Sequence, residues 1–418
     1  MKLFFVAGEN SGDNLAAGLI RELKTLKKES DVEVECLGVG GPLMKAAGMK
    51  ILLPLDQISV IGIWEVIPKI PRLFKLFKAI AEEIIKQSPD AVITVDFPDF
   101  NFLLAKSLRK RGYKGKIIHY VAPSVWAWRK GRAKKLASFL DGLICLYPME
   151  PEYFSPFDLK AAFVGHPIVE TKVDNAEGLV FREANEIPQD KKTLGLFFGS
   201  RESEFNNISQ NIKIAAAMVN DGLGDVRFIV PTLPATEYNI QVLLRDFDLP
   251  FRISSNQAFK WESFKACDVA LAVSGTVALE LAYAGVPHVV VYRTNPLTYL
   301  ILRFMVKIKH VHLANILLDE AVVPEFIQSK CKPEEIAQTI LDLFTKEELR
   351  NAQLEKFKQF RELIGASEQK KPSRKAAEFV LSIIEQRARK VSKQEMDNAQ
   401  TPDKTQADFQ TENKQEAG

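Results

Sequence analysis

Two carboxylates emerge together in the run Val95-Asp96-Phe97-Pro98-Asp99-Phe100-Asn101, directly after the apolar segment Ala91–Val95. Such a segment reads as a central strand, and Pro98 blocks its continuation, so Asp96 stands at a strand's carboxyl end, where ligands collect. A carboxylate there can take the proton of an attacking hydroxyl. Asp99 competes for that role or caps the following helix. The run Gly8-Glu9-Asn10-Ser11-Gly12-Asp13 follows a strand predicted over Leu3–Ala7 and enters a helix predicted from Asn14. Its glycines admit close backbone approach and the helix start attracts anions, making Gly8, Glu9, Ser11, Gly12 and Asp13 candidate substrate contacts. Gly38-Val39-Gly40-Gly41-Pro42 is a second glycine turn, equally well explained by helix-on-strand packing. His119 through Arg129 puts Ser124, Trp126, Trp128 and Arg129 on a Pro-Ser loop at another strand end. Carbohydrate or lipid contact would justify exposing that loop, although interdomain packing would account for the tryptophans alone.

The second half offers phosphate chemistry. Leu196-Phe197-Phe198-Gly199-Ser200-Arg201 reads as strand, glycine turn and helix start. The backbone N–H groups of Gly199 and Ser200 can face a diphosphate, and Arg201 can fork onto it. Ser274-Gly275-Thr276 repeats the arrangement after the next apolar strand, with Glu280 placed to accept from ribose hydroxyls. Neither glycine loop of the first half completes G-x-G-x-x-G, which disfavours a hydride-transfer enzyme. Asp246-Phe247-Asp248 matches a D-x-D metal motif, but it ends a helical stretch before Pro250 and reads as a surface feature.

These loops need strands to hold them. Apolar, scarcely alternating runs recur at Leu3–Ala7, Val32–Leu37, Ala91–Val95, Lys116–Val121, Gly142–Leu146 and Ala161–Val164. They recur again at Leu194–Phe198, Val226–Val230, Phe251–Ile253, Val269–Val273 and His288–Tyr292, with helical patterns between. That grammar is the mark of buried parallel strands. With a polar break near Glu170–Asp190, it predicts an α/β protein of two doubly wound, Rossmann-like domains facing across a cleft. The boundaries fall at residues 1–170, 171–365, 366–390 (a C-terminal helix) and 391–418, a polar tail expected to be disordered. A chain of 418 residues with 46% hydrophobic and 26% charged content has the composition of a soluble globular protein. A net charge of +3 demands no nucleic acid as partner. Cys36, Cys145, Cys267 and Cys331 lie far apart, without CxxC spacing, which argues against zinc and disulfides and fits a reducing cytosol. The first apolar run stops at Gly8-Glu9, too short for a signal-peptide core.

In this order the blocks Gly8–Asp13, Gly38–Pro42, Asp96–Asn101, His119–Arg129, Gly165-His166-Pro167, Gly199–Glu204, Ser274–Glu280, Tyr292-Arg293, Pro296–Tyr299 and Asn315 through Phe326 resemble the lipid-A-disaccharide synthases over about residues 1–390. The His119–Arg129 and Ser274–Glu280 blocks carry most of that specificity. One departure is Phe198, where the family usually has proline. The resemblance implies a GT-B fold and an inverting hexosyl transfer without metal or cofactor. The donor would be UDP-2,3-diacylglucosamine and the acceptor 2,3-diacylglucosamine 1-phosphate, giving UDP and a β-1,6-linked disaccharide 1-phosphate. It implies peripheral attachment to the cytoplasmic face of the inner membrane, leaves a homo-oligomer open, and adds Asn315 to the nucleotide site. Three alternatives remain: another GT-B enzyme using UDP-N-acetylglucosamine (a peptidoglycan transferase or 2-epimerase), a catalytically silent nucleotide-sugar-binding protein, and a membrane scaffold.

A membrane surface has its own candidate between Trp64 and Lys86. At 100° per residue, Ile70, Leu73, Phe74, Leu76, Phe77, Ile80, Ile84 and Ile85 cover an arc of about 180°, wider than the roughly 100° stripe a surface helix needs. Arg72, Lys75, Lys78 and Lys86 lie opposite. Ile70, Leu73, Phe74, Leu76 and Phe77 are therefore expected to divide between the core and a lipid surface, with the basic residues meeting anionic headgroups.

Overall fold

The computed structural model describes the backbone of residues 1–28, 31–55, 57, 70–126, 131–199, 202–295, 299 and 309–399; the side chains of 70–74, 203–204 and 386–399 lie outside that description. In the first domain the strands are β1 (Lys2–Ala7), β2 (Glu35–Gly40), β3 (Lys50–Pro54), β4 (Ala91–Val95), β5 (Lys116–Tyr120), β6 (Gly142–Cys145) and β7 (Lys160–Phe163). They form one parallel sheet in the order β3-β2-β1-β4-β5-β6-β7. The second domain holds β8 (Thr193–Phe197), β9 (Arg227–Pro231), β10 (Phe251–Ser254), β11 (Val269–Val273), β12 (His288–Tyr292) and β13 (Glu325–Ile327), ordered β10-β9-β8-β11-β12-β13. The expected α/β architecture of two doubly wound sheets is present.

Both faces of each sheet are covered, which is why the strands read as continuous apolar runs. Along β1 the two-residue period sends Leu3, Phe5 and Ala7 to one core and Phe4 and Val6 to the other. The first core is closed by α1 (Asn10–Lys28), α2 (Pro42–Ala46) and, from the far end of the chain, a long helix over Pro372–Ala399. The second core receives Ile80, Ala81 and Ile84 of α3 (Ile70–Gln87), Phe102 and Leu104 of α4 (Pro98–Lys110) and Leu136 of α5 (Arg132–Ala137). In the second domain the covering helices are α6 (Gly178–Ala184), α7 (Glu202–Leu223), α8 (Pro234–Leu243), α9 (Lys260–Lys265), α10 (Thr276–Ala284), α11 (Leu313–Leu318), α12 (Pro333–Thr345) and α13 (Glu347–Leu363). Arg182 of α6 is buried there and donates to the carbonyls of Ala266, Gln189 and Lys191, to Thr193 and to Asp268, fastening the starts of β8 and β11.

Four details depart from the expectations. Strands β3 and β13 have no counterpart among the predicted runs. Strand β2 begins at Glu35 and absorbs Gly38 and Gly40, which had read as a turn. Gly38 has φ 139°, and a Cβ there would lie 2.1 Å from the Phe5 carbonyl oxygen, so strand packing requires glycine at this position. Helix α1 starts at Asn10, ahead of the predicted Asn14, placing Ser11, Gly12 and Asp13 in its first turn. On α3, Leu76 and Phe77 are half-buried and pack on the core, Phe77 meeting Phe100 edge-on at 5.7 Å. These two of the five expected membrane residues face protein; Ile70, Leu73 and Phe74 lie outside the described side chains. No helix among the described residues is long and apolar enough to cross a membrane.

The chain crosses between the domains twice, and the crossings touch: the backbone N–H of His166 donates to the carbonyl of Ile364 at 2.9 Å. The last helix, α14 (Pro372–Ala399), then returns to the first domain. Glu170 accepts from the N–H and hydroxyl of Ser373 at 2.6 and 2.9 Å, and Lys27 pairs with Glu385 at 2.8 Å. Its backbone stays helical past Val391, where disorder was expected; residues 400–418 lie outside the described part. Because Ile383 is 3% exposed in the first domain's core, Ile383→Ala is expected to cost about 2–5 kcal/mol. Hydrogen exchange should show the loss in β1, β4 and α1 before the second domain, despite the residue's place near the C-terminal end.

Candidate active site

In each sheet the strand order reverses once, between β1 and β4 and between β8 and β11. Loops leaving two such strands turn to opposite faces and open a crevice at the carboxyl end. The sequence-predicted loops converge on these two crevices. At the first, Asp96 follows β4 and Ser11 opens α1, and the Ser11 hydroxyl donates to Asp96 Oδ2 at 2.9 Å. The other carboxylate oxygen, Oδ1, accepts from the Phe97 N–H at 2.8 Å, and the Asp96 carbonyl accepts from Asn101 Nδ2 at 2.7 Å. Asp96 and Phe97 both have left-handed backbones, with φ of 53° and 47°. Two successive non-glycine residues in that region signal a turn held by its surroundings. Gly8 is part of the hold, since a Cβ on it would lie 2.5 Å from Phe97. Gly8 is thus required by the Phe97 ring, and Gly12 is buried close to the Val95 carbonyl. Glu9 and Ser11 remain at the exposed lip.

Asp99 takes a different course. It lies in the first turn of α4, whose N-cap is Phe97, so it is not the cap. Its side chain is 89% exposed and pairs with Arg132 at 3.0 Å. Arg132 lies over the Phe102 ring, which packs edge-on against His119. Burial, then the charge of Arg132, pushes the His119 imidazole down to about 3, so it is neutral; its Nδ1 shares a 2.8 Å hydrogen bond with Thr94. Ser124 is exposed on the loop after β5. That loop opens with Val121 at φ 82°, a strained conformation for a β-branched residue. Trp126 is half-buried; Trp128 and Arg129 lie outside the described residues.

The second crevice is a pocket of about 330 Å³ lined by Phe198, Gly199, Thr232, Ser254, Asn256, Gln257, Lys260, Ser274, Gly275, Thr276 and Glu280. Gly275 precedes α10 and offers that helix's N-terminus to the pocket. Glu280 Oε1 accepts from Lys260 Nζ at 2.6 Å, and Lys260 also lies over the Trp261 ring at 4.9 Å. Ser200 and Arg201 lie outside the described residues, beside Gly199 and ahead of α7. Phe198, the departure from the family's proline, is 1% exposed and contributes to the pocket wall. Asp246 and Asp248 flank buried Phe247 on an exposed turn, Asp246 pairing with Lys213.

Two residues expected at ligands have their polar atoms engaged by structural partners. Asn315 is fully buried; its amide donates to Val323 O and Glu325 Oε1 and accepts from Val323 N, at 2.8, 2.9 and 2.8 Å. It braces the segment leading into β13. Asp13 is 3% exposed and accepts from the N–H groups of Gly41, Leu43 and Met44, each at 3.0 Å. It caps α2 and explains Gly41, whose Cβ would meet the Asp13 carboxylate at 2.5 Å. Sequence reasoning missed Lys260, Asn256 and Gln257, which no local motif marks, and Glu150, a 1% exposed carboxyl behind Trp126. Asp13→Ala strands three backbone donors and is expected to lower stability by about 1–3 kcal/mol in denaturant melts, without lowering UDP affinity.

Residues 3–379 match the family model described as lipid-A-disaccharide synthetase. The lipid-A-disaccharide synthase of Rhodospirillum centenum is 37% identical over 385 residues, covering 92% of this chain and 95% of its own. Among solved structures, the UDP-GlcNAc 2-epimerase from Neisseria meningitidis bound to UDP-GlcNAc aligns with a TM-score of 0.59 at 11% identity, covering 92% of this chain and 100% of its own. The calicheamicin glycosyltransferase CalG4 aligns at 0.58 and 16%, covering 93% and 99%. The structures establish a GT-B fold, and the sequence matches favour one family over the epimerase, peptidoglycan-transferase, silent-binder and scaffold alternatives. With its two facing crevices and a match along nearly its whole length, this chain is a glycosyltransferase and belongs to the lipid-A-disaccharide synthase family.

Proposed function

We propose that this chain transfers 2,3-diacylglucosamine from its UDP-linked form to 2,3-diacylglucosamine 1-phosphate, with Asp96 as the base. The observation that carries the assignment is the Asp96 carboxylate itself. It stands at the first crevice, oriented by Ser11 and the Phe97 N–H, whereas Asp99 points to Arg132. Inversion needs one base to take the acceptor hydroxyl's proton while UDP leaves from the opposite face of the sugar. The second-domain pocket suits the leaving group. The α10 N-terminus at Gly275 and Thr276, together with Gly199, Ser200 and Arg201, stabilises charge growing on the diphosphate. Glu280 accepts from the ribose.

The acyl chains of both substrates must come from a bilayer. The amino-terminal end of α3, with Ile70, Leu73 and Phe74 and the exposed Lys75 and Lys78, is the proposed lipid contact. Asp96→Asn preserves shape and removes the proton acceptor. Turnover is expected to fall about 10²–10⁴-fold, read as UDP release with both diacylated substrates, while calorimetric UDP affinity stays within about twofold of wild type. Near-normal turnover would remove Asp96 as the base.

A further inference from the structure

Glu150 is a buried carboxyl that the transfer chemistry above does not use. Its Oε2 accepts from the backbone N–H groups of Leu146 and Tyr147 at 3.0 and 3.1 Å, and its Oε1 accepts from the indole N–H of Trp126 at 3.3 Å. The first two donors belong to the turn after β6 and the third to the loop after β5, neighbouring strands of which β5 also pairs with β4. The Tyr147 ring stacks on His166, 5.9 Å between centroids, at the point where the chain crosses between domains. Glu150 therefore ties an active-site loop to the interdomain crossing through a single carboxylate.

We propose that Glu150 is a positioning residue whose ionised carboxylate holds Trp126 in place for acceptor binding, and whose protonation releases it. The functional half of this proposal rests on the glycosyl-transfer reading above; the structural half does not. All three partners are donors, so the ionised form satisfies each of them. A neutral carboxyl must carry its proton on one oxygen. On Oε2 the proton would oppose two backbone N–H groups, so it settles on Oε1, opposite the indole N–H, and the Trp126 bond is lost.

Burial, only partly offset by these hydrogen bonds, pushes the Glu150 carboxyl up to about 7. Among the described residues, the ionisable groups its charge reaches are Cys145 and Tyr147, both held protonated far above neutral pH by burial. His166, against Tyr147, is pushed down to about 4 by burial and is neutral there as well. Around neutrality Glu150 is thus the group that changes charge among these neighbours, and Trp126 is held on the alkaline side of its titration.

Glu150→Gln imitates the acid: the amide oxygen takes the two backbone N–H groups and the amide NH₂ faces the indole. The test follows kcat/KM from about pH 5.5 to 8.5, together with the ¹⁵N indole resonance of Trp126 in the full UDP-bound chain, assigned by its loss in Trp126→Phe. In wild type, kcat/KM is expected to fall about tenfold or more below pH 7, and the indole resonance to titrate with the same midpoint. Glu150→Gln should hold both readouts flat at the acid-side value, with UDP affinity unchanged. Trp126→Phe, which keeps an aromatic ring and removes the donor, should also lose the acid limb, so the test survives if the glutamine variant fails to fold. An acid limb that persists in either variant overturns the proposal, and so does an indole resonance that does not titrate. The indole titration needs no turnover, so failure of the glycosyl-transfer reading would leave it standing.

Discussion

A parallel sheet wound outward in both directions from its middle must, at one place, send the loops of two neighbouring strands to opposite faces. In this chain that reversal happens twice, beside β1 and beside β8, and it fixes where chemistry can occur. No side chain needs to be arranged over a long distance to make the crevice. The topology opens it, and residues immediately after the central strands fall into it. Asp96 is there because β4 ends at Val95, and Gly275 because β11 ends at Val273. The proposed proton acceptor and the proposed diphosphate site accordingly sit in different domains, on loops that rigid sheets hold.

Holding them has a cost. Asp96, Phe97 and Val121 adopt positive φ, each costing on the order of 1–3 kcal/mol. The compensation is local and visible. Gly8 leaves room for Phe97, Asn101 ties back the Asp96 carbonyl, and the Val121 and Ala122 N–H groups both donate to the Ile144 carbonyl. Beneath them lie β1, buried from Leu3 to Ala7, and the fully buried β4, and α14 returns from the second domain to close the core. These three residues follow the carboxyl ends of the neighbouring strands β4 and β5, the end of the first sheet at which substrate is proposed to bind.

How much of this could be read in the sequence depends on where the deciding contacts lie. Central strands were legible because burial on both faces leaves an uninterrupted apolar run. The loops after them were legible because strand end, glycine and helix start are contiguous in the chain. Strand β2 was misjudged because the Phe5 carbonyl, far away in sequence, decides that Gly38 belongs in a strand. Asp13 and Asn315 looked like ligand contacts for the same reason: the N–H groups of Gly41–Met44 and the Val323–Glu325 segment that consume them are not adjacent to them in the chain. Helix α3 showed a wide apolar arc, but only the three-dimensional neighbours showed that Leu76 and Phe77 belong to the core. Glu150 and Lys260 carried no motif at all; burial and a partner across the fold are what distinguish them.

The central claim is that the two crevices act together on one sugar, with a base on one side and a departing diphosphate on the other. The most direct test is the stereochemistry of the product. The chain would be incubated with UDP-2,3-diacylglucosamine and 2,3-diacylglucosamine 1-phosphate, and the anomeric configuration of the new linkage read by proton NMR alongside UDP release. A single displacement with Asp96 as base predicts equimolar UDP and a β-linked disaccharide. An α linkage, or consumption of donor without disaccharide, would contradict it.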